Sequence, residues 1–154
     1  MDDVTIRLAT SEALPTVAAL RWEWLLENED SPAVSRGEFV EHFVAWAQAN
    51  TTSHRCLVAV RGDVVLGMAW LALVQRVPTP QSLSRLSGDV QCVYVVPDER
   101  AAGLGGRLVD AVLELAGDLG LERVTVHSSY RAISMYCRHG FTASPRLLQA
   151  RLSV

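Results

Sequence analysis

The chain has 154 residues, of which 49% are hydrophobic and 20% charged, a composition that predicts one compact domain over residues 1–154. Its formal net charge of −3 argues against a nucleic-acid-binding protein, whose phosphate contacts need a basic surface. The 3 cysteines have no paired spacing, so we expect a reduced, cytoplasmic protein with neither a disulfide framework nor a bound metal. The sequence begins without a signal-peptide pattern and contains no apolar run near the ~20 residues of a membrane span, so we expect a soluble protein.

The first part of the chain predicts one strand and two helices. Apolar residues alternate with polar ones from 4 to 8, a pattern that predicts a half-buried strand. Ser11 is expected to cap the first helix, which ends in the acidic stretch 27–30. Ser35 and Glu38 have the spacing of a capping box for a second helix. One face of that helix is aromatic, formed by Phe39, Phe43 and Trp46.

The middle of the chain predicts a β-hairpin and a further strand. Residues 55–60 and 64–74 have strand patterns and are joined by the short turn 61–63. Prolines and serines in residues 75–88 predict an exposed loop. The valine-rich segment 89–96 then predicts the next strand.

The last third of the chain alternates helices and strands. A glycine-rich turn delivers an amphipathic helix that Gly120 ends. A strand near 122–128, a short helix near 131–138 and a last strand or two within 141–152 are predicted to follow. Strands interrupted by helices in this way predict an α/β architecture with a mixed sheet.

The glycine-rich turn is the most informative local motif. It contains Arg100, Gly103, Gly105 and Gly106 between a strand and the opening of a helix. A helix N-terminus offers unpaired N–H groups and a positive dipole end to an anion, and glycines let a phosphate approach the backbone. A tight strand-to-helix turn is the alternative. A dinucleotide-binding fingerprint does not fit the glycine spacing or the late position of the motif.

Two ordered motifs resemble the GNAT superfamily of acyl-CoA-dependent N-acetyltransferases. The first is the strand, proline turn and Arg-x-x-Gly-x-Gly helix opening over residues 93–109. The second is the late helix over residues 132–141, in which Tyr136 precedes Gly140 and Phe141. The resemblance is firm over residues 88–141, and it implies a single-domain α/β fold with helices flanking a mixed central sheet.

The resemblance also implies where acetyl-CoA binds. Two parallel strands, here 89–96 and 122–128, would splay apart around the acetyl-pantetheine arm, and the glycine-rich turn would hold the pyrophosphate. Ser129 occupies a position at which many relatives have an asparagine that contacts the arm. The cofactor-binding residues implied are Val93, Tyr94, Val95, Arg100, Ala101, Ala102, Gly103, Leu104, Gly105, Gly106 and Ser129.

The resemblance gives two catalytic candidates. Tyr136 lies where the family places the tyrosine that protonates the departing thiolate; the alternative is a core aromatic with one structural hydrogen bond. Asp89 opens the strand at which several relatives carry a catalytic glutamate; the alternative is a turn aspartate. His127 is a rival base, and Gln91 lies on the same strand face as Asp89, from which it can orient a water.

The acceptor is less well defined. The implied activity is acetyl transfer from acetyl-CoA to a primary amine, expected to be a small molecule, by direct attack. The acidic stretch 27–30, with walls from Trp22, Trp24 and Trp46, suggests a cationic amine, although a solvated helix face and core tryptophans are the alternatives. A protein N-terminus or lysine as acceptor and a noncatalytic acyl-CoA sensor both remain open, and relatives are often homodimers.

Overall fold

The computed structural model of the protein describes residues 3–153, and within them five strands form a single sheet. The strands are β1 (Val4–Leu8), β2 (His54–Arg61), β3 (Val64–Arg76), β4 (Arg85–Val95) and β5 (Val124–Val126). They lie side by side in chain order, and all neighbours are antiparallel except β4 and β5, which are parallel. The predicted mixed sheet is therefore confirmed.

Helices cover both faces of the sheet. They are α1 (Leu14–Glu27), α2 (Arg36–Ala49), α3 (Leu104–Asp118) and α4 (Ile133–Arg138). Leu104, Leu108 and Val112 of α3 pack with apolar residues on one face, and α1 and α2 cover the other face around Met68 and Trp70. No helix formed by residues 3–153 is long and apolar enough to cross a bilayer.

Only one of the two predicted helix caps is present. The Ser35 hydroxyl accepts a hydrogen bond from the Glu38 N–H at 3.2 Å, as the capping box requires. Ser11 does not cap α1, because it lies in the 3-10 turn Ser11–Ala13 that leads directly into that helix. Its position inside the turn removes the extended conformation that a cap residue needs.

The predicted loop over residues 75–88 is shorter than expected. Strand β3 continues to Arg76 and β4 begins at Arg85, and these two residues are paired across the ladder. Arg85 also donates to the Val77 carbonyl at 2.6 Å and forms an ion pair with Glu122 at 2.7 Å. Cross-strand pairing and these contacts extend the hairpin into a segment whose composition is typical of a loop.

The last strands predicted within residues 141–152 are wrong. No described residue after α4 belongs to a strand, and β5 itself is shorter than the predicted segment 122–128. A strand needs a backbone partner, but an open cleft of about 870 Å³ lies along β5, with Leu147 on its wall. Pro145 also lacks the N–H that a ladder requires.

Candidate active site

The two parallel strands separate after only three paired positions. Asp89 and Val90 of β4 lie opposite Thr125 and Val126 of β5, and within the described chain the ladder ends there. Strand β4 continues to Val95, paired on one side with β3 only. The other edge of β4 is therefore open where the two strands diverge.

The backbone groups at this open edge belong to alternate residues. The Val96 N–H donates to the Leu66 carbonyl of β3 at 2.9 Å, so the backbone of Val96 faces β3. Because groups alternate along a strand, Val95 and Val93 face the open edge, whereas Tyr94 faces β3. The backbone of Val93 and the N–H of Val95 are thus placed to pair with an extended ligand, whereas the Tyr94 backbone is not.

A β-bulge lies at the point of divergence. Trp70 pairs with Cys92 and the next residue, Leu71, pairs with Val90, so Gln91 has no partner on β3. Bulges are common next to active sites because they redirect side chains. Here the side chains of Gln91 and Cys92 line the same small pocket.

The three glycines of the turn have different structural roles. Gly103 has φ of +77°, a left-handed conformation that favours glycine. A Cβ on Gly105 would have no atom within 4 Å, so the space beside it is open. A Cβ on Gly106 would lie 2.3 Å from Nε2 of His139, so Gly106 allows α4 to approach α3. Gly106 therefore has a packing role on its Cα side.

The N-terminus of α3 has the features of an anion site. The Arg107 N–H makes a helical hydrogen bond to the Gly103 carbonyl at 3.2 Å, and no side chain in the described part of the chain caps the helix. The Arg107 N–H is the first helical donor of α3. The N–H groups of the three preceding residues, Leu104, Gly105 and Gly106, therefore have no helical acceptor. Ala101 and Ala102 are exposed on the adjoining 3-10 turn Pro97–Ala102. Backbone donors at the positive end of α3 therefore fit a pyrophosphate.

Arg100 joins the glycine-rich turn to α1. Its Nη2 donates to Oε2 of Glu27 at 2.7 Å, and its Nε donates to the Val95 carbonyl at 2.8 Å. The Tyr94 hydroxyl donates to Oε1 of the same carboxylate. Arg100 thus holds together the end of α1 and the end of β4, a contact that sequence reasoning missed because the partners are far apart in the chain.

These contacts shift two pKa values. Burial raises the pKa of Glu27, but hydrogen bonds from Tyr94 and Arg100 outweigh it and hold that pKa below 4.5. Burial and the hydrogen bond to Glu27 raise the pKa of Tyr94 to about 12. Glu27 is therefore an ionised structural residue, and its carboxylate is already occupied by Tyr94 and Arg100.

We expect Glu27→Gln to destabilise the protein by about 1–2 kcal/mol at neutral pH, since a partly exposed charged hydrogen-bond acceptor becomes neutral. Because the pKa of Glu27 is lower in the folded protein, its ionised carboxylate stabilises the fold above pH 4.5. This stabilisation is lost as the pH falls through the folded-state pKa of Glu27. Urea unfolding should show the difference between wild type and variant narrowing below pH 4.5. The exposed Glu41→Gln is the control, and a pH-independent difference would contradict this account.

Tyr136 lies where the late helix meets the wide cleft. Its ring is buried and contacts the Phe141 ring edge-on at 5.3 Å between centroids. Its hydroxyl has no hydrogen bond to any described residue. Among the described residues, the only fully buried side-chain polar atom without a partner is Nε1 of Trp70. The Tyr136 hydroxyl is therefore not fully buried and reaches solvent at the cleft. Burial, and then the proximity of Cys92, raise the pKa of Tyr136, so it is protonated at neutral pH.

Asp89 lies at the base of the gap between the strands. It accepts hydrogen bonds from the Thr125 hydroxyl at 2.7 Å and from Nε2 of Gln91 at 3.3 Å. His127 is exposed just after β5 and lines the wide cleft. Ser129 is exposed ahead of the 3-10 turn Tyr130–Ala132, whose Ala132 N–H donates to its carbonyl at 3.1 Å. Of the two candidate bases, Asp89 is the one hydrogen-bonded to Gln91.

A small pocket of about 150 Å³ lies between the bulge of β4 and helices α1 and α2. We call it the aromatic pocket; its lining residues are Arg21, Phe43, Trp46, Trp70, Gln91 and Cys92. Of the three tryptophans expected to wall an acceptor site, only Trp46 lines it. Trp22 packs against Phe39 at 6.0 Å between centroids, and the Trp24 ring lies 4.3 Å from the Arg21 guanidinium.

No carboxylate of residues 3–153 lines this pocket, so the acidic stretch at the end of α1 does not form its wall. Burial raises the pKa of Cys92, with Arg21 acting weakly in the opposite direction, so its thiol is not a thiolate at neutral pH. All three cysteines are free, and burial raises the pKa of Cys56, which pairs with Trp70 across β2 and β3, to about 12. A covalent acyl-cysteine step has no activated nucleophile here.

A mixed sheet that splays beside a glycine-rich helix N-terminus defines an α/β protein in which an anion-binding helix opening lies next to an unpaired strand edge. The sequence model of the Acetyltransferase (GNAT) family matches residues 17–141. The chain therefore belongs to the GNAT acetyltransferase family and is an acyltransferase, as the two motifs predicted. None of the curated proteins matches its sequence.

Solved structures share the fold at low sequence identity. A predicted acetyltransferase of Clostridium acetobutylicum, solved with acetyl-CoA, has a TM-score of 0.76 at 17% identity over 96% of both chains. An integron cassette protein from the mobile metagenome of V. cholerae has a TM-score of 0.80 at 15% identity, covering 100% of this chain and 94% of its own. Glucosamine-6-phosphate N-acetyltransferase of Arabidopsis thaliana has a TM-score of 0.72 at 14% identity, covering 99% and 100%. At these identities the likeness concerns the fold.

Proposed function

We propose that this acyltransferase moves the acetyl group of acetyl-CoA to a primary amine of a small molecule by direct attack. The observation that carries the proposal is the position of the aromatic pocket, which is small and opens beside the bulge where β4 and β5 separate. A peptide acceptor would need a long groove, whereas a pocket of about 150 Å³ holds one small group.

The donor would bind along the open edge of β4 and at the start of α3. Val93 and Val95 would pair with the pantetheine arm as an added strand does. The amides from Ala101 to Gly106 would hold the pyrophosphate, with Leu104 and Gly105 contributing unpaired N–H groups. Ser129 would face the pantetheine arm, and Arg100 would act by fixing Val95 and α1.

Asp89 and Tyr136 would carry the proton transfers. An alkyl ammonium has a pKa of about 10, so it must lose a proton before it attacks. Asp89, directly or through a water that Gln91 orients, would take that proton before the amine nitrogen bonds to the thioester carbonyl carbon, and the tetrahedral intermediate would then lose a second N–H proton to solvent. When the C–S bond breaks, Tyr136 would protonate the thiolate sulfur and recover its proton from solvent. The products are the N-acetylamine and the CoA thiol.

Acetyl-CoA binding and turnover should be measured separately on the same preparation. Calorimetric titration tests binding, and thiol release tests turnover with small amines and with peptides that carry a free N-terminus or a lysine. Saturable binding with turnover on small amines is the expected result. Binding without any turnover would overturn the proposal in favour of a sensor, and turnover on peptides alone would overturn the small-molecule acceptor.

A further inference from the structure

The aromatic pocket has the size of one six-membered ring. Its volume of about 150 Å³ equals that of engineered apolar cavities that bind benzene. Its walls hold one another in place, because the Phe43 and Trp70 rings meet edge-to-face at 5.5 Å and the Trp46 and Trp70 rings lie 5.7 Å apart. Rigid aromatic walls of this kind select a flat apolar group.

The one charged side chain that lines the aromatic pocket is cationic. Arg21 donates from Nη1 to Sγ of Cys92 at 3.5 Å, which is a weak acceptor, and stacks on Trp24. It forms no ion pair with a carboxylate in the described part of the chain. A guanidinium beside a pocket without a carboxylate attracts an anionic group and repels a polyamine.

The remaining polar groups give the ligand a direction. Gln91 donates its amide to Asp89, which leaves its amide oxygen free to accept an N–H from an amine. The amine of a ligand would thus point toward Asp89, and its anionic group toward Arg21.

We propose that the acceptor is a primary amine that carries one aromatic ring and a carboxylate, the chemistry of an aromatic amino acid. This inference rests on the proposed amine acetylation and adds the substrate class to it. The ring fills the aromatic pocket, Arg21 binds the carboxylate, and the amine lies beside Gln91 at the strand divergence.

The test compares amines that lack one feature each. Phenylalanine has both the ring and the carboxylate, phenethylamine lacks the carboxylate, alanine lacks the ring, and spermidine is a polycation. Thiol release with the full chain should give phenylalanine a kcat/KM about 10- to 100-fold above that of each of the other three. Equal or greater kcat/KM for phenethylamine or spermidine would overturn the inference while leaving amine acetylation intact.

Arg21→Met keeps the length and apolar stem of the side chain but removes its charge. It should reduce the phenylalanine to phenethylamine ratio in kcat/KM by about 10- to 100-fold. Arg36→Met removes an exposed charge at the start of α2 and should leave the ratio unchanged. An unchanged ratio in Arg21→Met would remove Arg21 from substrate recognition.

Phenylalanine binding should also be followed through tryptophan fluorescence in the presence of CoA, since Trp46 and Trp70 form the pocket walls. Saturable quenching that Arg21→Met weakens is expected. If no amine is acetylated but this binding is seen, the proposed function fails and the ligand class of the pocket stands. Absence of saturable binding overturns the inference even when other amines are acetylated.

Discussion

Tyr136→Phe should lower kcat for amine acetylation about 100-fold, the lower end of what a positioned general acid contributes. The hydroxyl that this change removes has no hydrogen bond to a described residue, so its loss leaves no structural partner unpaired. The free energy of unfolding should therefore stay within about 0.5 kcal/mol of wild type. The KM for acetyl-CoA should change little, because the proton is needed only as the C–S bond breaks.

The neighbouring Tyr130→Phe is a matched control for this measurement. Tyr130 lies on the 3-10 turn just before α4 and is 94% exposed, so its hydroxyl should not affect kcat. Steady-state kinetics and urea unfolding of both variants separate a catalytic role from a packing role. Wild-type turnover in Tyr136→Phe would contradict a catalytic role for the hydroxyl. Tyr136 would then have only a packing role, through its buried ring and its contact with Phe141.

The proposed donor side of the site is formed by contiguous residues, which is why the sequence predicts its elements. A strand, a Pro97 turn, an αL glycine at 103 and an amphipathic helix are dictated by local backbone chemistry, and they occur here in the expected order. The GNAT family, the mixed sheet and the acyltransferase class are confirmed on this basis. The glycine spacing alone does not show that Gly105 lies beside open space whereas Gly106 packs against His139.

The aromatic pocket, the proposed acceptor side, depends on contacts between distant residues, and no local pattern pairs them. Arg21, Phe43, Trp70 and Gln91 come from four different elements, and periodicity indicates only that each lies on a particular face. Glu27 shows the same limit, because an acidic residue at a helix end is typical of a solvated face. Its carboxylate in fact accepts hydrogen bonds from residues 94 and 100.

The strand predicted after α4 failed for a related reason. Hydrophobic residues such as Leu147, Leu148 and Leu152 suit a strand, but strand formation requires a free backbone edge within reach. The described chain leaves an edge free at β5, but the wide cleft lies between that edge and Leu147, so the two backbones do not pair. The whole sheet decides which strand edges are available for pairing. A short stretch of sequence does not contain this information.

Gly105→Glu should weaken acetyl-CoA binding about 100-fold without destabilising the fold. The new side chain has room, since a Cβ at this position meets no atom within 4 Å. A carboxylate in the first turn of a helix is favourable to the dipole, and removing a glycine lowers the entropy cost of folding. The same carboxylate would lie beside the site of the pyrophosphate and repel it; two like charges about 6 Å apart at a partly exposed site cost about 3 kcal/mol, which is about 100-fold in affinity.

Gly37→Glu provides the matched control for that variant. Gly37 also has no atom within 4 Å of a Cβ and lies in the first turn of α2, so the two changes add the same charge to equivalent helix positions. Calorimetric titration should show acetyl-CoA affinity lost in Gly105→Glu and kept in Gly37→Glu, with neither variant less stable to urea than wild type. Equal affinity in both would mean that the glycine-rich turn is only a strand-to-helix connection, and that the donor phosphates bind elsewhere.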